Sequence, residues 1–282
     1  MGQLPQNAAV AIVGGGKMGE AILGGWIASE EGAAAALSPQ SFVVANPGEA
    51  RRDYLAERYG VRCVADACEI DAADIVVLAV KPQVMKGVLD QMRTSPAYSG
   101  GEEGPLFVSI AAGLSTDALL AMLPEGARLV RVMPNTPLLV GSGVTTVCSS
   151  SRCGGDVELV RDLFACLGSA YVVDEDAMDA TGAISGSGPA YAALLIEALR
   201  DAGVSQGLDA DLAEKLAAQT LEGTCRLMRE RGQDAEQTRV AVCSPGGTTL
   251  AALAAMDREG FSRAVGAGVD AAVARSKELA AC

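Results

Sequence analysis

The chain has 282 residues, of which half are apolar, and 22 Lys and Arg against 35 Asp and Glu give it a net charge of −13. Because such an acidic surface repels phosphate backbones and anionic lipids, we expect no nucleic acid or membrane partner. The length suits one large domain or two ordinary ones. The chain contains no histidine, which excludes a Ser-His-Asp triad and a histidine-liganded metal. Proton chemistry must therefore come from other side chains, water or a cofactor.

Two C-x4-C pairs, Cys63 with Cys68 and Cys148 with Cys153, suggest a zinc site. Their spacing is not one of the usual zinc spacings, so we expect reduced thiols and no metal. Residues 1–7 show no Arg-rich or long apolar stretch, and no apolar run reaches the roughly 18 residues that span a bilayer. We therefore expect a cytoplasmic protein, with a plastid as the alternative.

The first half of the chain alternates short apolar runs with helical patterns. We predict strands at 8–13, 42–45, 75–80, 106–110, 129–132, 144–147 and 171–173, with helices at 17–29, 49–59, 85–92, 117–123 and 156–167. This alternation predicts an α/β Rossmann domain over residues 1–174, with a doubly wound, mostly parallel sheet. We expect a loop extension at 30–40 and an exposed turn at 95–105.

The second half has a different composition, because strand-like runs vanish after about Asp174 and Ala, Leu and Glu dominate. Helical patterns at 190–202, 210–230, 250–256 and 261–279 predict an all-α domain over residues 175–282. The Ala-rich stretches 210–230 and 264–274 carry small residues on several faces, which suits close helix packing between subunits.

A glycine-rich motif follows the first predicted strand. Gly14, Gly16 and Gly19 occupy the three positions of G-x-G-x-x-G. The first glycine permits a tight turn, the second lets a pyrophosphate approach the backbone, and the third lets the helix sit close to the strand. The helix N-terminus adds free N–H groups and a partial positive charge. The motif therefore predicts a dinucleotide site, with a structural glycine turn as the alternative.

The end of the second strand distinguishes NADP from NAD. An acidic residue there would bind the ribose 2′-hydroxyl, but this chain has Asn46 and Pro47, followed by Arg51 and Arg52. The missing acid and the two guanidiniums favour a 2′-phosphate, and hence NADPH over NADH. The alternative is that both arginines form a solvated helix face. Lys81 follows the strand 75–80 and faces either the cofactor or solvent.

The most specific local pattern is Ser-Pro-Gly-Gly-Thr-Thr at 244–249, before the predicted helix 250–256. Ser244 as N-cap and Pro245 at the first helical position are typical of a helix start. The glycines expose backbone N–H groups and the threonine hydroxyls both donate and accept, which predicts a site for a small carboxylate. A second cluster, 185–191, opens the first C-terminal helix, and its glycines serve either packing or binding. We expect its Tyr191 to pack in the core rather than to donate a proton.

Together these motifs resemble the pyrroline-5-carboxylate reductase family. The resemblance covers nearly the whole chain and includes Ala-Val-Lys-Pro at 79–82, Ser-Ile-Ala-Ala-Gly at 109–113 and Met-Pro-Asn-Thr-Pro at 133–137. It implies NAD(P)H-dependent reduction of the C=N bond of 1-pyrroline-5-carboxylate to give L-proline, the last step of proline biosynthesis. It also implies a Rossmann domain followed by an all-α dimerisation domain, in homodimers of which five can form a decamer.

The resemblance further implies roles for individual residues. Besides Arg51, cofactor contacts would come from Gly14, Gly16, Lys17, Met18, Asn46, Asp66, Val80, Lys81 and Ala112. Substrate contacts would come from Glu175, Ser244, Gly247 and Thr248, with Thr249 hydrogen-bonded to the ring nitrogen as the catalytic residue. The chain departs from the family at 232–235, where Gly-Gln-Asp-Ala replaces Gly-Glu-His-Pro, and this explains how a member can lack histidine.

Two other functions fit parts of the sequence. Another small Rossmann reductase, for imines or 2-keto acids, would use a lysine of the helical domain as its acid. The nearby choices, Lys215 and Lys277, fall in charged helical patterns and look solvated. A non-catalytic dinucleotide-binding regulator would keep the glycine motif but would have no use for the carboxylate site at 244–249.

Overall fold

The computed structural model describes Leu4, residues 8–149 and residues 154–280. The chain forms two compact units, one that runs to Ser187 and resumes at Ala272, and one that spans Gly188–Ala271. The strands are β1 (Val10–Val13), β2 (Phe42–Ala45), β3 (Arg62–Val64), β4 (Ile75–Leu78), β5 (Leu106–Ser109), β6 (Arg128–Met133), β7 (Gly143–Ser149) and β8 (Gly168–Val172). The helices are α1 (Lys17–Ile27), α2 (Glu49–Tyr59), α3 (Pro82–Met92), α4 (Thr116–Leu120), α5 (Gly154–Ala165), α6 (Met178–Thr181), α7 (Gly188–Ser205), α8 (Ala210–Arg231), α9 (Ala235–Ala241), α10 (Thr248–Arg258) and α11 (Phe261–Ala280).

The first unit contains one eight-stranded sheet with the order β3-β2-β1-β4-β5-β6-β7-β8. The chain moves outward from β1 through β2 to β3, and β4 then returns to the other side of β1, so the sheet is doubly wound as predicted. Strands β1 to β6 are parallel, and β7 is antiparallel to β6. Val13 pairs with both Ala45 and Leu78, Ala45 with Val64, and Leu78 with Ser109. The loops after β1 to β5 therefore leave from the same edge of the sheet.

Both faces of the sheet are covered, which explains why its strands are continuous apolar runs rather than alternating ones. On β1, Val10 and Ile12 belong to one hydrophobic cluster with α1, α2 and α5, whereas Ala11 and Val13 belong to the other with α3 and α4. Trp26 of α1 is fully buried, donates from Nε1 to the Leu163 carbonyl oxygen at 2.9 Å, and packs edge-on against Phe164. These contacts fix α1, and with it the turn that precedes α1.

The second unit is entirely helical, as the sequence predicts. Gly203 of α7 brings α7 close to α8, because an added Cβ would lie 3.1 Å from the Cβ of Ala213. Few of its residues are buried, and large apolar side chains stay exposed, among them Leu194 (63%) and Leu216 (51%). Tyr191 is 36% exposed. The expectation that Tyr191 packs in the core is therefore wrong for the single chain, because α7 has no buried residue.

Several local features differ from the sequence predictions. Strand β3, helices α6 and α9 and a π-helical turn at Gly182–Gly186 were not predicted, because each is too short for a periodic pattern. The segment 95–105 is not wholly exposed, since Ser95 and Ala97 are buried and the Ser95 hydroxyl donates to the Ile70 carbonyl oxygen at 2.6 Å. No helix among the described residues is both long and apolar enough to cross a membrane.

Candidate active site

All the predicted cofactor residues follow the carboxyl ends of strands β1 to β5. Those after β1 are Gly14, Gly16, Lys17 and Met18; Asn46 and Arg51 follow β2, Asp66 follows β3, Val80 and Lys81 follow β4, and Ala112 follows β5. Ligands of doubly wound sheets bind at this edge, at the point where the strand order reverses. In this sheet the reversal lies between β1 and β4, so the topology brings the predicted residues to the expected place.

The three glycines of the motif differ in their surroundings. Gly14 has a φ of +111°, and an added Cβ would lie 2.7 Å from the Ala79 carbonyl oxygen, so the turn lies against the chain leaving β4. At Gly19 an added Cβ would lie 2.1 Å from the Gly14 carbonyl oxygen. At Gly16 an added Cβ would meet nothing within 4 Å. Two glycines therefore permit close packing, whereas the middle one leaves open space beside the first turn of α1.

Helix α1 begins without a side-chain cap at Gly16. Its first N–H groups, from the exposed Lys17 onward, are therefore available to an anion in the open space beside Gly16. This uncapped start and the missing Cβ fit a dinucleotide pyrophosphate.

The two arginines of α2 are half-buried and hydrogen-bonded, so neither belongs to a freely solvated face. Arg51 donates from Nε to the Gly15 carbonyl oxygen at 2.6 Å and from Nη2 to the carboxylate of Glu20. Arg52 donates from Nη1 to the carbonyl oxygens of Asn46 at 2.9 Å and Pro47 at 2.7 Å. The first arginine braces the glycine turn and the second braces the loop after β2. Sequence reasoning missed Glu20, whose only signal was its place one helical turn after Gly16.

The remaining residues of this edge show mixed exposure. Asn46 is half-buried and its N–H donates to the Val64 carbonyl oxygen at 3.0 Å, which closes the loop after β2 onto β3. Asp66 precedes a 3-10 turn, where its N–H donates to Oε1 of Glu69 at 2.8 Å. Lys81 is the exposed N-cap residue of α3, while Val80 is half-buried and Ala112 exposed. Strand β4 ends at Leu78, two residues earlier than predicted, so Val80 and Lys81 lie in the loop.

The Ser-Pro-Gly-Gly-Thr-Thr segment begins with a turn rather than with the helix. The Gly247 N–H donates to the Ser244 carbonyl oxygen at 2.9 Å, and Gly246 has a φ of +71°. Proline at the second position and glycine at the third are typical of a type II turn. Helix α10 therefore begins at Thr248, with Gly247 as an N-cap residue that makes no side-chain bond. The predicted N-cap at Ser244 and first helical position at Pro245 are wrong, because the positive φ at Gly246 interrupts the helical path.

Two consequences follow for an anion at this segment. The N–H of Gly247 is used within the turn, and an added Cβ there would lie 3.0 Å from the Ser244 carbonyl oxygen. The first N–H groups of α10 and the hydroxyls of Thr248, which is exposed, and Thr249, which is half-buried, remain as donors. The segment keeps the chemistry of a carboxylate site, shifted to the first turn of α10.

Glu175 lies among groups of the first unit that all donate to it. Oε1 accepts from Arg131 Nη1 at 2.6 Å and from the Thr116 N–H at 3.1 Å, and Oε2 accepts from Thr116 Oγ1 at 2.6 Å and Cys148 Sγ at 2.8 Å. Burial acts to raise the pKa of Glu175, but the bonds from Cys148 and Thr116 and the charge of Arg131 outweigh it and lower the pKa to about 2. Burial, reinforced by the Glu175 carboxylate, raises the pKa of the Cys148 thiol to about 12. Glu175 is therefore ionised and Cys148 protonated at neutral pH.

Asn135 is a second residue whose role sequence reasoning missed. It is 7% exposed, donates from Nδ2 to the Ser185 carbonyl oxygen at 2.9 Å, and accepts from the Val144 N–H at 2.8 Å. Beside it, an added Cβ at Gly186 would lie 2.8 Å from Cε of Met133. Packing therefore accounts for Gly186. The sequence signal for Asn135 was its place in the Met-Pro-Asn-Thr-Pro motif, between two prolines, which did not indicate its hydrogen bonds.

No group of three or more Cys, Asp or Glu side chains in the described ranges is placed to hold a metal ion. Cys153, the second member of one C-x4-C pair, lies outside those ranges. A cavity of about 1030 Å³ lies at the opposite end of α1 from the glycine turn, where it is lined by Ala28, Gly32 and Cys166 among others. None of the predicted site residues lines this cavity.

Two family models match the chain. Residues 175–279 match the model described as pyrroline-5-carboxylate reductase dimerisation, and residues 9–113 match the model described as NADP oxidoreductase coenzyme F420-dependent. The first match covers the predicted all-α region, and the second covers the glycine turn and strands β1 to β5.

The relatives agree with these matches over nearly the full length. The chain is 41% identical to the pyrroline-5-carboxylate reductase of Synechocystis sp., covering 96% of this chain and 97% of that protein. It is 35% identical to the Escherichia coli enzyme of the same name, covering 96% of this chain and 97% of that protein. The crystal structure of Plasmodium falciparum pyrroline carboxylate reductase with NADP bound superimposes with a TM-score of 0.83 at 31% identity, covering 99% of this chain and 100% of that one. The structure of a pyrroline-5-carboxylate reductase from Coxiella burnetii superimposes with a TM-score of 0.86 at 33% identity, covering 97% of this chain and 98% of that one.

Proposed function

The chain belongs to the pyrroline-5-carboxylate reductase family, and we propose how its residues reduce 1-pyrroline-5-carboxylate to L-proline with NADPH. It is an oxidoreductase that acts on a C=N bond. The observation that carries the proposal is that α1 after the glycine motif and α10 after the Ser-Pro-Gly-Gly-Thr-Thr turn both begin at a glycine that makes no side-chain cap. A helix N-terminus without a cap attracts an anion, and the reaction brings together two anions, a dinucleotide and a small carboxylate.

The residues at the edge of the sheet hold the cofactor, which supplies the hydride. Gly16 leaves room for the pyrophosphate, which accepts hydrogen bonds at the start of α1 from Lys17 and Met18. Asn46, Arg51 and Asp66 lie after β2 and β3, where this fold binds the adenosine end. Gly14, Val80, Lys81 and Ala112 complete the set along the cofactor.

The turn 244–249 holds the substrate. Ser244 and Thr248 bind the carboxylate. Gly247 contributes by permitting the tight turn rather than by donating its N–H, which the turn already uses. Thr249 hydrogen-bonds the ring nitrogen through its hydroxyl. We keep Glu175 as a predicted substrate contact. Because Arg131, Thr116 and Cys148 all donate to its carboxylate, such a contact requires one of these donors to be displaced.

The chemistry needs positioning more than it needs an acid. Hydride adds to the imine carbon while the nitrogen gains a proton, and a protonated C=N bond is the better hydride acceptor. Solution protonation can supply that proton, so the protein mainly fixes distance and orientation. This explains how a chain without histidine can catalyse the reaction, with Thr249 orienting the nitrogen and the start of α10 fixing the carboxylate.

The test is substrate-dependent NADPH oxidation with pyrroline-5-carboxylate, compared with a panel of 2-keto acids. We expect turnover with the cyclic imine, and proline-dependent NADP⁺ reduction in the reverse direction at high pH. Faster turnover of a 2-keto acid would show a different reductase, and cofactor binding without turnover would show a regulator. The lysines that a 2-keto acid reductase would need, Lys215 and Lys277, are both exposed.

A homo-oligomer is the working form, and we propose homodimers, assembled by fives into decamers. The exposed apolar side chains of the helical unit, such as Leu194, Leu216 and Val265, support subunit contacts there. Sedimentation equilibrium distinguishes a dimer from a decamer. We propose the cytoplasm as the compartment, with a plastid as the alternative, and cell fractionation tests it.

A further inference from the structure

The glycine turn is braced by an ion pair that none of the roles above assigns. Arg51 reaches back from α2 to α1, where its Nη2 donates to the carboxylate of Glu20 and its Nε to the Gly15 carbonyl oxygen. The same Nη2 lies 3.4 Å from the Gly16 carbonyl oxygen. The guanidinium is therefore held at the glycine turn by neutral carbonyls as well as by an acid.

Glu20 is firmly placed and charged. The hydroxyls of Tyr54 and Tyr59 donate to its Oε1 at 2.9 and 3.0 Å, and its side chain is 18% exposed. Burial acts to raise the pKa of Glu20, but the bonds from Arg51, Tyr54 and Tyr59 outweigh it and hold the pKa below its usual value. Tyr54 also stacks under the guanidinium, whose carbon lies 5.0 Å from the ring centroid. Glu20 is thus a fixed negative charge beside Arg51 at neutral pH.

We propose that Glu20 is a specificity-determining residue, which limits the preference for NADPH over NADH by neutralising Arg51. The proposal rests on the proposed function, in which a ribose 2′-phosphate binds after β2 near Arg51. A phosphate is attracted less strongly to an arginine that is paired with a carboxylate than to a free guanidinium, because the negative charge of the carboxylate repels the phosphate. Arg52 does not share its charge with an acid in this way, since its Nη1 donates to two carbonyl oxygens.

The test compares the substitution Glu20→Gln with the wild type. Glutamine removes the charge and keeps one oxygen, which accepts from Arg51. Its NH2 group then faces the hydroxyls of Tyr54 and Tyr59, which accept as well as donate. The Gly15 carbonyl oxygen still holds the guanidinium. Calorimetric titration compares 2′,5′-ADP with 5′-AMP, which differ only in the 2′-phosphate and lack the pyrophosphate and nicotinamide of the cofactor. We expect Glu20→Gln to tighten 2′,5′-ADP binding about three- to tenfold and to change 5′-AMP binding less than about twofold. Titration with NADPH and NADH should show the same change in preference.

The matched control is Glu57→Gln, which removes an equal charge from an exposed position on α2. Glu20→Ala is a second neutral variant, and thermal unfolding checks that each protein is folded. The proposal is overturned if the ratio of the two dissociation constants stays within about twofold of the wild-type ratio. The proposal is also overturned if Glu57→Gln raises the preference for 2′,5′-ADP as much as Glu20→Gln does. It is overturned as well if Glu20→Gln weakens the binding of both nucleotides alike, which would show that Glu20 only stabilises the glycine turn. Turnover of pyrroline-5-carboxylate by the wild type is measured separately, so a failure of the proposed function is recognised on its own.

Discussion

Arg131 of β6 donates from Nη1 to Oε1 of Glu175 at 2.6 Å, and this ion pair ties β6 to the chain that follows β8. The side chain of Arg131 is 9% exposed and that of Glu175 is 35% exposed. Thr116 of α4 and Cys148 of β7 complete the set of donors around the carboxylate. One side chain thus joins four segments, and its removal leaves a buried guanidinium without its acid.

The substitution Glu175→Gln should lower the free energy of unfolding by about 1–3 kcal/mol. The loss is smaller than for a fully buried ion pair because Glu175 is partly exposed to solvent. Glutamine removes the charge and turns an NH2 group toward donors, so at least one hydrogen bond is lost. Urea unfolding measures the effect, with Asp176→Asn as the control, since Asp176 is the next residue and is exposed. Equal stability of the two variants would contradict the role assigned to the network.

The same network predicts how stability depends on acid. The pKa of Glu175 is about 2 in the folded chain against a usual value of 4.5. A lowered folded pKa contributes stability that is fully present above the unfolded pKa and lost as pH falls through the folded one. The wild type should therefore lose stability between about pH 4.5 and pH 2 more steeply than Glu175→Gln. If the urea midpoints of the two proteins fell equally with pH across this window, the lowered pKa assigned to Glu175 would be wrong.

The sheet was predictable from sequence because its strands are buried on both faces. Strands such as β2 (Phe42–Ala45) appear as apolar runs bounded by polar segments, and the glycine motif fixes where the first helix begins. Strand β3 (Arg62–Val64) was missed because only Val64 of its three residues is buried. Its existence depends on pairing with β2, a tertiary contact that local pattern does not encode.

The site was predictable only at the level of motif. Residues after β1 to β5 could be assigned to the cofactor because parallel strands end at one edge. The partners of Arg51 and Glu175 could not, since each involves residues more than 20 positions away in sequence. The start of α10 was misplaced by a local ambiguity, because Ser-Pro fits both a helix N-terminus and a type II turn, and Gly246 with positive φ selects the turn.

Two glycine substitutions in the same motif should have different effects: Gly19→Ala should lower stability, whereas Gly16→Ala should weaken cofactor binding. Gly19→Ala places a Cβ 2.1 Å from the Gly14 carbonyl oxygen, a backbone atom that cannot move aside easily, so the melting temperature should fall. Gly16→Ala meets nothing within 4 Å at a φ of −70°, so the fold should be retained. Its methyl group occupies the space left for the pyrophosphate. The dissociation constant for NADPH should therefore rise at least tenfold, a loss of about 1.4 kcal/mol or more of binding free energy. Calorimetry for binding and thermal unfolding for stability separate the two effects, and a Gly16→Ala protein with wild-type affinity would remove the pyrophosphate from this turn.

Thr249 offers the most direct test of the proposed chemistry. Thr249→Val keeps the shape and the β-branch but removes the hydroxyl that would orient the imine nitrogen. We expect kcat/KM for pyrroline-5-carboxylate to fall by one to two orders of magnitude, or roughly 1.4–2.7 kcal/mol. The loss should appear mainly in kcat, because the carboxylate contacts at the start of α10 remain.

Two companion variants show whether that loss is specific to Thr249. Thr249→Ser restores a hydroxyl at the same position and should recover most of the activity. Thr248→Val removes the neighbouring hydroxyl, which we assign to the carboxylate, and should raise KM more than it lowers kcat. The two threonines are adjacent in the first turn of α10, so both valine substitutions carry a similar cost in helix stability. If Thr249→Val turned over as fast as the wild type, the nitrogen would have to be oriented by another group, and the assignment of Thr249 as catalytic residue would be wrong.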